Sequence, residues 1–250
     1  MNKFTGKVFI TGKIVAKTGL HVGGSKTSLD IGGVPLNVIK TANGFPFIPG
    51  SSLKGKLRSI LAREVGSIGI GSEKYLPPNA IIDRQFSYII ELFGDANDKI
   101  TDGTPPSVTP ARLIVRDAML DEDHFRINRH TLFSELDEDF YTESKWENTI
   151  KRMTGTAINP RQLERVPAGT QFDFEIIYNV FDDHQRECHL NHLIKAMRIL
   201  EDDYLGGQGS RGCGKICFDN VTITIKKIDD YLGANVRRKL EGITFTSGCL

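Results

Sequence analysis

Along residues 7–17, Val8, Ile10, Ile14 and Ala16 keep to one side of a two-residue alternation, with Lys7, Thr11, Lys13 and Lys17 among the other positions. A period of two puts the apolar set on one face of a pleated backbone, so the segment predicts a half-buried strand. The pattern changes after Pro49-Gly50-Ser51-Ser52, where Leu53, Leu57, Ile60, Leu61 and Val65 recur at helical spacing. Proline, glycine and two hydroxyls just ahead of that run predict a helix start with a serine cap. Further on, Phe172, Phe174, Ile176, Tyr178 and Val180 alternate as a strand, and Leu190, Leu193, Ile194, Met197 and Leu200 mark one face of a second helix. Val221, Ile223 and Ile225 predict a closing strand.

Each half of the chain therefore reads strand, helix, strand, the skeleton of an α+β, ferredoxin-like or RRM-like body. The intervening stretch, roughly 66–170, is too long for a connection and carries clusters at Gly69, Gly71, Pro77, Pro78, Gly103, Pro105 and Pro106. Such a stretch predicts inserted structure.

Composition narrows the class. Apolar residues at 39% and charged residues at 25% fit a globular chain, and no apolar run approaches membrane-spanning length. No secretory leader pattern opens the sequence. Four scattered cysteines, Cys188, Cys213, Cys217 and Cys249, do not form a disulfide framework, so a reducing cytoplasm is expected. Lys and Arg number 32 against 31 Asp and Glu, so any case for nucleic-acid binding has to be local. Lys54, Lys56, Arg58 and Arg63 supply a local positive run, with Asp137, Glu138 and Asp139 as an acidic counterpart elsewhere.

The segment Gly206-Gly207-Gln208-Gly209-Ser210-Arg211-Gly212-Cys213-Gly214-Lys215 falls between a predicted helix and strand. Glycines at that density let backbone N–H groups approach a phosphate, and Arg211 adds a planar charged fork. Gly50 to Lys56 imitates the spacing of a phosphate-binding ATPase loop, but Leu57 occupies the position of the required Ser or Thr. Leu53 and Leu57 moreover keep helical register through the supposed loop, which excludes ATPase chemistry there. His184, Cys188 and His192 stand four apart, too far along a helix axis for one ion to reach all three, and read as a polar helix surface.

Several of these segments together resemble the RAMP superfamily, in particular the backbone subunit of type III-A CRISPR effectors. Thr18-Gly19-Leu20-His21-Val22-Gly23-Gly24-Ser25 is similar to that family's first loop, and Ile48 through Arg58 to its signature helix start. Arg116-Asp117-Ala118 is similar to a strand end, Leu205 through Ile216 to the C-terminal glycine loop, and Tyr141 through Ile150 with Asn159 through Arg165 to the thumb hairpin. The resemblance covers about residues 5–225. It implies a body in two parts, 1–65 and 171–228, a lid region over 66–140, a thumb over 141–170 and a C-terminal extension over 229–250.

It further implies a subunit that stacks along a guide (CRISPR) RNA. Each thumb would displace one nucleotide of the guide–target duplex at six-nucleotide intervals. Guide RNA, target RNA, copies of itself or paralogous RAMP subunits, and large and small effector subunits are the implied partners. The implied RNA contacts are His21, Ser51, Lys54, Arg58, Gly207, Gly209, Ser210, Arg211 and Gly212. Tyr141 and Trp146 are open to two roles, stacking on bases or anchoring the hairpin to the body. Lys145, Arg161 and Arg165 face RNA or a neighbouring subunit.

The family's first loop carries an aspartate that assists metal-dependent cleavage of target RNA. Counted without gaps from His21, that position is Pro35, which has no titratable group and binds no metal. Two readings follow. The chain is a non-catalytic RNA-binding scaffold, or it is an endoribonuclease in which Asp30 substitutes and Mg2+ or another divalent cation is needed. Nothing in the sequence resembles the aromatic motif by which a generic RRM stacks bases on its sheet.

Overall fold

The structure, a computed structural model, describes residues 2–24, 37–66, 87–94, 110–134, 136, 141–233 and 236–248. The chain runs β1 (Phe4–Ala16), β2 (Phe47–Ile48), α1 (Gly50–Glu64), α2 (Ser87–Phe93), β3 (Leu113–Val115), β4 (Ala118–Leu120), α3 (Glu122–Ile127), β5 (Glu143–Ile150), β6 (Ala157–Arg165), β7 (Gln171–Phe181), α4 (Arg186–Asp202), β8 (Ile216–Lys227) and β9 (Arg238–Lys239). The main sheet is ordered β2-β4-β7-β1-β8-β9, with β3 also on β7. β1 lies between β7 and β8, antiparallel to both. With α1 following β1 and α4 following β7, this is the ferredoxin-like arrangement that the alternating patterns predict.

The same patterns fill the core. Val8, Ile10, Ile14 and Ala16 of β1 are fully buried beneath Leu53, Leu57 and Leu61 of α1 and Leu190, Leu193 and Met197 of α4. Burying one such side chain stabilises by about 1.5–3 kcal/mol, so the two helical stripes and the alternating strand together fix which sheet face is covered. β8 extends well beyond Val221–Ile225 and shifts register against β1 between Thr11 and Lys13. Asn220, with φ of 50°, takes up the extra residue there.

Within the inserted stretch, β3 and β4 are short strands of the main sheet itself, held by β7. The glycine and proline clusters between residues 69 and 106, and Asp137 to Asp139, lie outside the described residues. The expected serine cap is corrected. Pro49 is the cap residue of α1 and makes no side-chain bond; the Gly50 amide donates instead to Asp117 Oδ1 at 2.7 Å, from the β3–β4 bend. A carboxylate placed there also complements the helix dipole.

The segment after β8 is integral to the body. β9 pairs with β8, Ile243 and Leu240 are buried, and Glu201 of α4 accepts from the amides of both Phe218 and Gly248. The cysteine reading also needs amending: Cys188 and Cys213 are free thiols, whereas Cys217 is disulfide-bonded. Among the described residues no helix is long and apolar enough to cross a membrane.

Candidate nucleic-acid interface

Three segments remote in sequence meet at one end of the sheet. β1 ends at Ala16 and β8 begins at Ile216 opposite it, so the loop leaving β1 and the glycine loop entering β8 are neighbours by construction. Backbone bonds join them: Gly214 N–H donates to the Gly19 carbonyl at 2.9 Å and Gly207 N–H to the His21 carbonyl at 2.8 Å. Gly206 stands at φ +76°, and a Cβ there would collide with the His21 carbonyl oxygen. That position admits only glycine. A Cβ on Gly209 would collide with the Tyr204 ring. The glycine density therefore serves close packing.

The thumb, β5 with β6, is a separate two-stranded sheet rooted beside them, with Leu20 and Val166 bridging reciprocally at its base. His21 is buried, and its Nδ1 bonds the Glu164 carbonyl at 2.7 Å. Glu164 accepts from the Val38 amide at 2.7 Å, from Thr142 Oγ1 at 2.6 Å and from Lys40 Nζ. Burial alone would push this carboxyl up, but the bonds from Lys40, Thr142 and Val38 hold it below the usual carboxylate range.

The inner face of β5 presents Glu143, Lys145 and Glu147. Glu143 pairs across the hairpin with Arg165 at 2.6 Å and Glu147 with Arg161 at 2.8 Å. Such cross-strand opposite charges fix a hairpin's register. Arg211 sits in a single helical turn, Gly209–Arg211, between two left-handed residues, Gln208 and Gly212. Its Nη1 donates to Gln208 Oε1 at 2.9 Å and lies 3.4 Å from Glu147 Oε2. Lys145 Nζ donates to the Arg211 carbonyl at 3.3 Å. Glu147, Asn148, Thr149, Arg161 and Arg211 line a cavity of about 410 Å3.

Lys145, Arg161 and Arg165 are engaged within the thumb and its junction with the glycine loop. Tyr141 is anchored in the body against Phe45 and Phe125, with ring centroids at 4.9 and 5.1 Å. Trp146 points outward and is 65% exposed. His184 precedes α4 with φ of 59°, and His192 stacks on Tyr88 at 3.9 Å, so the series with Cys188 forms no single helix face.

On α1 the basic residues divide between two stripes. Ser51, Lys54 and Arg58 share one, since residues three and four apart are neighbours. Ser51 is exposed there, and Lys54 donates to the Leu113 carbonyl on β3 at 3.1 Å. Burial and the nearby Arg58 lower the Lys54 ammonium. Lys56 and Arg63, on the other stripe, both pair with Asp203, and Lys56 lies over the Tyr204 ring at 3.7 Å. Because Tyr204 also abuts Gly209, it is Lys56 that reaches the glycine loop's surroundings. Among the described residues no hydrogen bond or ion pair joins Ser51, Lys54 or Arg58 to that loop. Ser210, Arg211 and Gly212 are exposed.

Glu147, Glu164, Asp117 and Tyr204 were not singled out by residue pattern, although Glu147 and Glu164 fall inside the segments that resemble the thumb and Asp117 inside the one that resembles a strand end. Asp30 and Pro35 lie outside the described residues. Among the described residues no group of three His, Cys, Asp or Glu side chains is placed to hold a metal ion.

Residues 13–217 match the profile of the RAMP superfamily. The chain is 40% identical over 237 residues to a Methanocaldococcus jannaschii protein named CRISPR system Cms endoribonuclease Csm3, covering 94% of this chain and 87% of that one. Its fold is similar to the crystal structure of a Csm3–Csm4 subcomplex of the type III-A CRISPR-Cas interference complex, at 28% identity and a TM-score of 0.54, over 97% of this chain and 92% of that one. Methanopyrus kandleri Csm3 shares the fold at 21% identity and a TM-score of 0.61, over 94% and 81%.

Proposed function

The chain belongs to the RAMP superfamily, and on that premise we propose that it is an RNA-binding backbone subunit of a type III CRISPR effector complex. The carrying observation is the meeting of the first loop, the glycine loop and the thumb, with Arg211 exposed at their junction. Such an arrangement suits contact with phosphates rather than reading of bases, which base pairing supplies in guide-directed systems. The partners on this reading are guide RNA, paired target RNA, further RAMP subunits, and the complex's large and small subunits. His21, buried against Glu164, shapes the loop, while Gly207, Gly209, Ser210, Arg211 and Gly212 face the guide. Ser51, Lys54 and Arg58 offer a second contact stripe on α1. Within 66–140, β3 and β4 belong to the main sheet of the body and the rest of the stretch is the lid; 141–170 is the thumb and 229–250 an extension of the body, and the complex works in the cytoplasm.

Binding of a labelled single-stranded RNA by the full chain tests this. Affinity is expected to fall as salt rises. Lys54→Ala with Arg211→Ala should weaken binding and reduce the log–log salt slope by about one for each phosphate that is no longer neutralised. An affinity that is indifferent to both removes the phosphate reading.

The designation of the Methanocaldococcus jannaschii relative as an endoribonuclease favours a second reading, cleavage through Asp30 with a divalent cation. Pro35 opposes it, because a group displaced by five residues rarely keeps attack geometry. Target-RNA cleavage by the guide-loaded complex with magnesium separates the two. The scaffold reading expects no products from the native subunit and products on Pro35→Asp; native products that vanish with Asp30→Ala would make it an enzyme.

A further inference from the structure

Glu147 stands on the inner face of the thumb among three cations. Arg161, its cross-strand partner, holds it at 2.8 Å, whereas Arg211 at 3.4 Å and Lys145 at 3.6 Å are looser. The Glu147 side chain is 11% exposed, against 31% for Lys145, 37% for Arg161 and 51% for Arg211. Glu147, Arg161 and Arg211 line the cavity, with Glu147 the least exposed of the three, and Lys145 stands beside it. Among the described residues neither Nε nor Nη2 of Arg211 makes a hydrogen bond.

We propose that Glu147 holds the place of an RNA backbone phosphate. A phosphodiester entering the cavity takes Arg211 and Lys145 from the carboxylate, while Arg161 stays on Glu147. The proposal rests on the RNA-binding reading above and adds to it a site and a built-in competitor.

Three points carry it. Half-exposed ion pairs are weak, so releasing Arg211 costs little. A phosphate accepts a guanidinium through two parallel donors, and the unused Nε and Nη2 of Arg211 form one such fork. Arg161 alone still neutralises Glu147 once Arg211 has turned away, so no charge is left buried and unpaired. Lys145 also donates to the Arg211 carbonyl, so the exchange loosens the thumb's hold on the glycine loop as RNA enters.

The competing reading makes Glu147 a brace that orders the three cations for the phosphate, and the two readings predict opposite signs. The experiment is anisotropy of a labelled single-stranded RNA at low salt with the full chain, comparing native protein, Glu147→Gln, Arg211→Ala and the double variant. Glutamine keeps the acceptor for Arg161, so the hairpin register is retained. Placeholding expects Glu147→Gln to bind about two- to five-fold tighter, the range set by a surface ion pair, with the gain abolished in the Arg211→Ala background. Weaker or unchanged binding by Glu147→Gln overturns it, as does an equal gain without Arg211, which would be a bulk charge effect. A native chain that binds no RNA overturns the RNA-binding reading and this one together; native binding without the gain overturns this one alone.

Discussion

His189 is 1% exposed at the start of α4, and its Nδ1 lies 2.9 Å from the Tyr178 hydroxyl. Arg112 can only donate, and its Nη1 reaches the same hydroxyl at 3.4 Å. A hydroxyl that accepts from Arg112 is free to give its own proton to Nδ1, and in that arrangement the ring proton is on Nε2, 3.7 Å from Glu91. Burial, reinforced by the Arg112 charge and opposed by Asp183, lowers the imidazole from 6.5 to about 4. A histidine depressed on folding binds its proton better when unfolded, so its stabilisation is complete above pH 6.5 and lost between there and about 4. The full loss is about 3 kcal/mol, of which roughly 2 is gone by pH 5. Urea midpoints of the native chain should fall over this window. Those of His189→Gln should be flatter, with a residual slope from His192, which burial lowers as well. A native curve flat from pH 7 to 5 would show that this imidazole does not titrate as argued.

At the scale of elements, β1, α1, β7 and α4 were legible because each carries its period within a dozen or so residues, and the apolar positions on each proved to be its buried face. β3 and β4 were not. Three residues each hold no period, and their place in the sheet comes from their register with β7, which no local pattern encodes. The cap of α1 failed for the same reason: the acceptor for Gly50 is Asp117, 67 residues away, while the serines beside it suggested a local bond. The glycine loop was legible as a place, but Arg211's ion-pair partner on the thumb, Glu147, is 64 residues distant. Chemistry assembled across such separations depends on the completed fold.

At the scale of the molecule, one carboxylate joins parts that otherwise touch the body separately. Glu164, at the end of β6, takes hydrogen bonds from Thr142 at the root of β5 and from Val38 and Lys40 on the returning limb of the first loop. Its carbonyl meets His21 on the outgoing limb. Both ends of the stretch 25–36, which contains Asp30 and Pro35, are thereby tied to the thumb's base. Removing the charge leaves buried donors facing an amide, at a cost of about 1–3 kcal/mol borne locally. Glu164→Gln should therefore speed amide exchange at 37–40 and at the roots of β5 and β6, with β1, β7 and β8 unchanged. Because folding depresses this carboxyl, its stabilisation is present above the ordinary value of 4.5 and is lost as pH falls through and below it. Native protein acidified far enough below the ordinary carboxylate range to protonate Glu164 should reproduce the same local exchange pattern before the sheet opens. Exchange that rises uniformly over the body instead would mean that Glu164 supports the whole fold rather than coupling the first loop to the thumb.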